Sequence, residues 1–100
     1  MKPTKVIFRK WRDNGEIIAL FPMIAADNTG YLCSSYEHVG QHGGALPDCV
    51  QRQTVLAKPA EYRELMQELH QIGYRKLVVY KRFQSSDMKA REWQIAKANA

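Results

Sequence analysis

Lys5-Val-Ile-Phe-Arg-Lys-Trp-Arg-Asp-Asn-Gly-Glu-Ile-Ile-Ala-Leu-Phe21 decides how the chain begins to fold. Two runs rich in β-branched and aromatic residues flank Asn14-Gly15. Asn-Gly between such runs signals a hairpin, because a type I′ turn needs positive φ at both central residues. A two-residue loop at Asn14-Gly15 pairs Arg12 with Ile17, Trp11 with Ile18 and Arg9 with Leu20. One face then carries Ile7, Arg9, Trp11, Ile18 and Leu20. The other carries Val6, Phe8, Lys10, Arg12, Ile17, Ala19 and Phe21. Both faces are partly apolar, so each is expected to be partly covered.

Downstream, Pro22 is expected to end the second strand, since it cannot donate to a ladder. Asp27-Asn28-Thr29-Gly30 reads as a turn. Tyr31 to Val39 suits a third strand, with Leu32, Ser34, Tyr36 and His38 on one side. Cys33, Ser35, Glu37 and Val39 fall on the other. Gly40, Gly43, Gly44 and Pro47 are expected to break regular structure. Asp48 to Ala57 suits a short helical turn followed by a strand at Gln53 to Leu56.

The amphipathic signal is clearest from Pro59 to Ile72. Tyr62, Leu65, Met66, Leu69 and Ile72 form one helical stripe. Pro59 suits the first turn, Glu61 the N-terminal dipole and Gly73 the left-handed C-terminal cap. Arg63, Glu64, Gln67, Glu68 and Gln71 read as a solvated face. Tyr74 to Phe83 is expected to be the last strand, with Leu77, Val79 and Phe83 opposite Val78, Tyr80 and Arg82. Ser85-Ser86-Asp87 can cap a final helix from Met88. That helix is weakly amphipathic, because Trp93 and Ile95 point apart.

These elements predict one α+β domain over residues 1–100: a mainly antiparallel sheet with the Pro59–Ile72 helix on it and a short C-terminal helix. One hundred residues are too few for a second core, and marginal enough that a homodimer is allowed. With 45% hydrophobic and 25% charged residues, the chain can offset its ordering entropy by burial, which argues against disorder. No apolar run approaches a membrane span, and Met1-Lys2-Pro3-Thr4-Lys5 lacks a signal peptide's apolar segment. A cytoplasmic setting with no membrane partner is the expectation, and two cysteines are too few for a disulfide scaffold.

The net charge of +5 is uneven. Residues 1–12 carry +5, residues 13–73 carry −5 and residues 74–100 carry +5. If the ends meet, one face attracts polyanions. Arg9 and Lys10 in the first strand and Arg82 in the last, with Trp11, Tyr80 and Phe83 interleaved, suit a single-stranded nucleic acid.

The stretch from Tyr31 to Cys49 concentrates the chemistry-bearing residues. Cys33, His38, His42 and Cys49 offer four zinc ligands, but not at zinc-finger spacing. A Cys–His nucleophile with glycine amides as an oxyanion hole is a further option, without a fixed orienting group. Neither GxGxxG nor GxxxxGK[ST] is present, and no carboxylates stand at spacing suited to acid–base work. His70 falls off the apolar stripe and reads as a surface residue. The most economical reading is conformational: His38 and His42 hydrogen-bond across the glycine turns and, sheltered by Tyr31, Tyr36 and Tyr62, hold a recognition surface over Ser35–Gly44 that includes Tyr36, His38, Gln41 and His42.

Ala19-Leu20-Phe21-Pro22, Ser35-Tyr-Glu-His-Val-Gly-Gln-His-Gly43, Pro59-Ala-Glu-Tyr62, Glu68-Leu69 and Gly73-Tyr74 together resemble a group of short uncharacterised proteins of bacteriophages and bacterial mobile elements. The likeness runs from about Val6 to Arg82. The group has no assigned activity, so no functional residue carries over. It often has Thr before the helix's Pro, where this chain has Lys58, which puts the cap in question and not the helix. The resemblance implies a phage or prokaryotic cytosolic setting and a small accessory role. The function expected is that of a non-enzymatic binding protein without cofactor, partnered by a protein or, alternatively, a nucleic acid. A small zinc- or Cys/His-dependent protein is the remaining alternative.

Overall fold

The computed structural model describes residues 3–38 and 40–99. They form β1 (Thr4–Trp11), β2 (Ile17–Ala25), β3 (Cys33–Glu37), β4 (Gln41–Ala45), α1 (Pro47–Gln53), β5 (Thr54–Leu56), α2 (Pro59–Gln71), β6 (Leu77–Val79) and α3 (Ser85–Ala98). Five strands make an antiparallel sheet in the order β4-β3-β2-β1-β5. The free half of β1's edge takes β6, whose Leu77 and Val79 pair with Thr4 and Val6 in parallel. The α+β class is as expected, but three helices cover the sheet and the last strand is parallel. That strand keeps only three residues, because β1 has already given Arg9 to Trp11 to β5.

The hairpin forms with its register shifted by two. Arg9 faces Ile18 and Lys10 faces Ile17. Trp11 N–H donates to Glu16 O at 2.8 Å and Gly15 N–H donates to Trp11 O at 2.9 Å, so Arg12 to Gly15 form the loop. Gly15 takes positive φ and Asn14 does not, which rules out the type I′ turn. A shift of two preserves the side-chain alternation, so both faces emerge as the sequence predicts.

On one face Val6, Phe8, Ala19, Phe21 and Tyr36 are buried with Ala57, Leu65 and Leu69, and α2 covers them. Phe8 stacks on Tyr62, and Phe21 stacks on Tyr74. On the other face Ile7, Ile18, Leu20, Cys33 and Ala45 are buried with Val50 of α1, and Phe83 packs against them. The interior is thus a sheet filled from both sides, with half of the apolar hairpin assigned to each layer.

Three further expectations are corrected. Pro22 does not end β2: the strand runs on to Ala25 through a bulge, Phe21 facing Ser34 and Ala25 facing Cys33. The bulge releases Pro22 from any duty to donate. The glycines do not abolish regularity: Gln41 to Ala45 pair with β3, Gly43 facing Ser35 and Gly44 facing Ser34. Gly44 is required there, since a Cβ would lie 3.1 Å from Ala26 Cβ and 3.3 Å from Leu32 Cδ1. The final helix begins at Ser85 instead of Met88, and Asp87 in its first turn accepts a bond from Gln84 N–H at 2.8 Å. Val39, expected beside Cys33 and Ser35, lies outside the described residues, as does Lys2 of the basic N-terminus.

α2 ends as expected, with Gly73 at φ +121° just beyond it. At its start Lys58 N–H donates to Glu61 Oε1 at 2.9 Å, so the carboxylate closes the first turn. Ile72, placed on the apolar stripe by its spacing, is 47% exposed at the helix end.

Candidate functional site

β4 is an outer strand, and its residues Gln41, His42, Gly43 and Gly44 are all exposed. Such an edge presents unpaired backbone groups. Gly43 has an ordinary φ and room for a side chain, its nearest neighbour being Ser35 Oγ at 3.5 Å.

The turn leading into β4 is clamped to α2. Tyr36, buried on the α2 side of the sheet, donates its hydroxyl hydrogen to Glu68 Oε2. The same hydroxyl oxygen accepts Gly40 N–H at 2.9 Å. His38 Nδ1–H donates to the other Glu68 oxygen, with the ring mostly in solvent. His42 sets its ring edge against Tyr36, centroids 4.7 Å apart. One carboxylate therefore ties β3, the turn and α2 together. The bond from Tyr36, supported by His38, holds the Glu68 carboxyl below its ordinary pKa, and the same bond raises that of Tyr36.

The expected histidine clamp thus exists in altered form. His38 reaches across to Glu68 and His42 packs on Tyr36; neither bridges the glycines. Tyr62 shelters the core and not the turn, by stacking on Phe8. Tyr31 stands 62% exposed at the other end of β3. Glu68, read as solvated, is the residue that sequence reasoning missed. A signal was present: Glu61 and Glu68 are seven residues apart, so both border the apolar stripe on one helix edge. Glu61 pairs with Lys10 as Glu68 pairs with Tyr36 and His38. The Lys10 bond pulls the Glu61 carboxyl below its ordinary pKa.

Two hollows flank β4. On the α2 side a depression of about 360 Å³ lies between Tyr36, His42, Ile72 and Tyr74. On the α1 side another of about 430 Å³ lies between Trp11, Glu37, Gly43 and Val50.

The two chain ends do meet, through β1 and β6, yet much of the basic charge is used internally. Arg9 Nε donates to Thr54 Oγ1 at 2.9 Å, and its Nη2 donates to Thr54 O at 3.0 Å and Gln51 O at 3.2 Å. Its guanidinium thereby satisfies carbonyls at the C-terminal end of α1, where a cation is favoured. Thr54 is fully buried and passes the bond on to Val50 O at 2.6 Å. Lys10 points to the opposite face and pairs with Glu61. Trp11 donates Nε1–H to Glu37 at 3.3 Å. Arg82 is exposed beyond β6. The structure therefore does not bring Arg9, Lys10 and Arg82 onto one surface.

The four proposed zinc ligands are divided as well. Cys33 faces the α1 side of the sheet, and burial pushes its thiol up to about 11. His38 sits on the α2 side with Glu68. Among the described residues no three His, Cys, Asp or Glu side chains gather as a metal-holding group. Cys49 is exposed on α1. His70 is a surface residue whose Nδ1 bonds to Tyr74 O at 2.8 Å. No helix among the described residues is long and apolar enough to cross a membrane.

The chain matches no family model, no curated protein and no solved structure.

Proposed function

We propose that the protein is a non-enzymatic binding module that takes up an extended segment of a partner protein along β4. The observation that carries this reading is an exposed outer strand, bare of side chains at Gly43 and Gly44, whose turn is tied down by Tyr36, Glu68 and His38. In strand addition the main chain supplies affinity and alternate side chains supply specificity. A peptide beside β4 would direct successive side chains to opposite faces, where the two hollows lie. Gln41 and His42 flank the incoming strand, and the clamp lowers the entropy lost on ordering it. The resemblance of the Ser35–Gly43 core suggests a phage or mobile-element accessory as the setting.

Selection of random peptides against the wild-type protein tests this reading, with binding of recovered peptides measured by fluorescence polarisation. Gly43→Lys should weaken them at least about tenfold, because a charge on an edge blocks pairing, and should leave the thermal melt unchanged. Failure to recover any peptide, or equal binding by Gly43→Lys, would end the proposal.

A second reading has one observation in its favour. Arg75, Lys76, Lys81 and Arg82 are all exposed around β6, beside an exposed Tyr80. A single-stranded oligonucleotide would then bind there, more weakly at higher salt. Lys81→Ala with Arg82→Ala should reduce such binding, and no binding at low salt would dismiss it.

A further inference from the structure

A cavity of about 600 Å³ opens between α1 and the first turns of α3, on the opposite side of the sheet from α2. Its size falls in the range that holds small organic ligands. Phe83, Leu46 and Met88 give it apolar walls, and Arg52 stands on the α1 side. Arg91 lines it from α3.

Arg91 is only 5% exposed. Nε–H donates to Gly30 O at 2.9 Å and Nη1–H donates to Pro22 O at 2.6 Å. Both acceptors are neutral carbonyls. Among the described residues Nη2 makes no hydrogen bond, and no carboxylate lies within ion-pair distance of the guanidinium. Nor is any buried side-chain nitrogen left without a partner. Nη2 therefore keeps contact with solvent, and Arg91 is part of the cavity wall.

Asp87, one turn before Arg91 on the same helix, is already occupied. Its oxygens accept Lys5 Nζ at 2.8 and 3.0 Å, and one of them also accepts Gln84 N–H. Asp48 lies on the rim. The cavity lining holds Arg52 and Arg91 with Asp48 and Asp87, and Lys5 from outside it takes up Asp87. A buried cation without a counter-charge is costly unless an anion completes it. A guanidinium held by two fixed carbonyls has its remaining N–H groups aimed in advance, and such a fork suits a carboxylate.

We propose that this cavity binds a small aromatic carboxylate, its anionic group on Arg91 with Arg52 assisting, and its ring against Phe83, Leu46 and Met88. The site is separate from β4 and does not depend on peptide binding there.

The test is a titration of the wild-type protein with benzoate, and in parallel with its neutral analogue benzamide, followed by amide NMR at constant ionic strength. Benzoate should produce saturable shifts at Arg52, Gln84, Ser85 and Met88, with a dissociation constant of about 10 mM or tighter. Benzamide should bind at least about fivefold more weakly, lacking the charge-assisted fork. Arg91→Lys keeps the charge but loses the planar fork, and should weaken benzoate about fivefold or more. Should that variant fail to fold, Arg52→Gln, on the exposed surface of α1, decides the matter with a loss of about twofold to threefold. Absent or non-saturable shifts, equal shifts with benzamide, or undiminished benzoate binding by the folded variants would overturn the proposal.

Discussion

α2 and α3 are of nearly equal length, 13 and 14 residues, and cover opposite faces of one sheet by different means. α2 buries Leu65 and Leu69 with Tyr62 and Met66 packed around them. α3 buries Asp87 and Arg91. It is fastened by the Lys5–Asp87 pair, by Arg91 on two carbonyls and by Gln94 Oε1, which accepts Ala25 N–H at 2.7 Å. Apolar packing is non-directional and additive over area. Polar anchoring is directional, and each bond withdrawn leaves a desolvated partner behind. The two helices should therefore fail differently when cut.

The sharpest break is Asp87→Ala. It strands Lys5, whose side chain is 4% exposed, without its counter-charge. Urea unfolding should show a loss of about 3–5 kcal/mol. Replacing both partners by Leu and Met should recover most of that loss. A single substitution that costs less than about 1 kcal/mol would remove polar anchoring as the distinction.

Leu69→Ala tests the other helix. Leu69 is fully buried, and its truncation should cost roughly 3 kcal/mol. No second substitution is expected to restore it by removing a partner, in contrast with the charged pair.

Thr54→Val probes polar anchoring under α1. It removes a buried hydroxyl that links Arg9 to Val50 O. A loss of about 1–2 kcal/mol in the same unfolding assay is expected, smaller because Arg9 keeps its bonds to carbonyls.

Acid sharpens the comparison at the edge of α2. Glu68 and Glu61 have native pKa values depressed below the ordinary 4.5. Their stabilisation is complete above that value and is lost as pH falls through the depressed native values. Glu68→Gln should flatten the fall in thermal stability below pH 4.5 relative to wild type. An unchanged acid limb in melts from pH 6 to about pH 3 would deny Glu68 the clamping role.

The smallest effect is expected at Trp93, which is 66% exposed on the outer side of α3 with Lys97 over its ring. Trp93→Ala should change stability by less than about 0.5 kcal/mol. A larger loss would mean that α3 carries an apolar face after all.

Much of the fold could be read from local pattern. The two-faced hairpin, the third strand and the Pro59 helix all follow from periods that survive small errors of register. The hairpin illustrates this: a shift of two residues left every side chain on its expected face. The candidate site was half visible. Tyr36, His38, Gln41 and His42 were placed together by closeness in sequence, but Glu68, 30 residues from His38, entered only through packing.

Alternation and helical spacing in the amino-acid sequence by themselves determined which residues turn inward, because burial of apolar surface needs no particular partner. Tertiary structure alone decided the fate of the charges. Lys5 met Asp87 from 82 residues away, and Arg9 closed a helix end. It also made the glycine segment a strand, since β3 offered Gly43 and Gly44 a ladder that no local signal announces. A hydrogen bond or ion pair depends on the position of one distant atom, and only the folded chain sets that position.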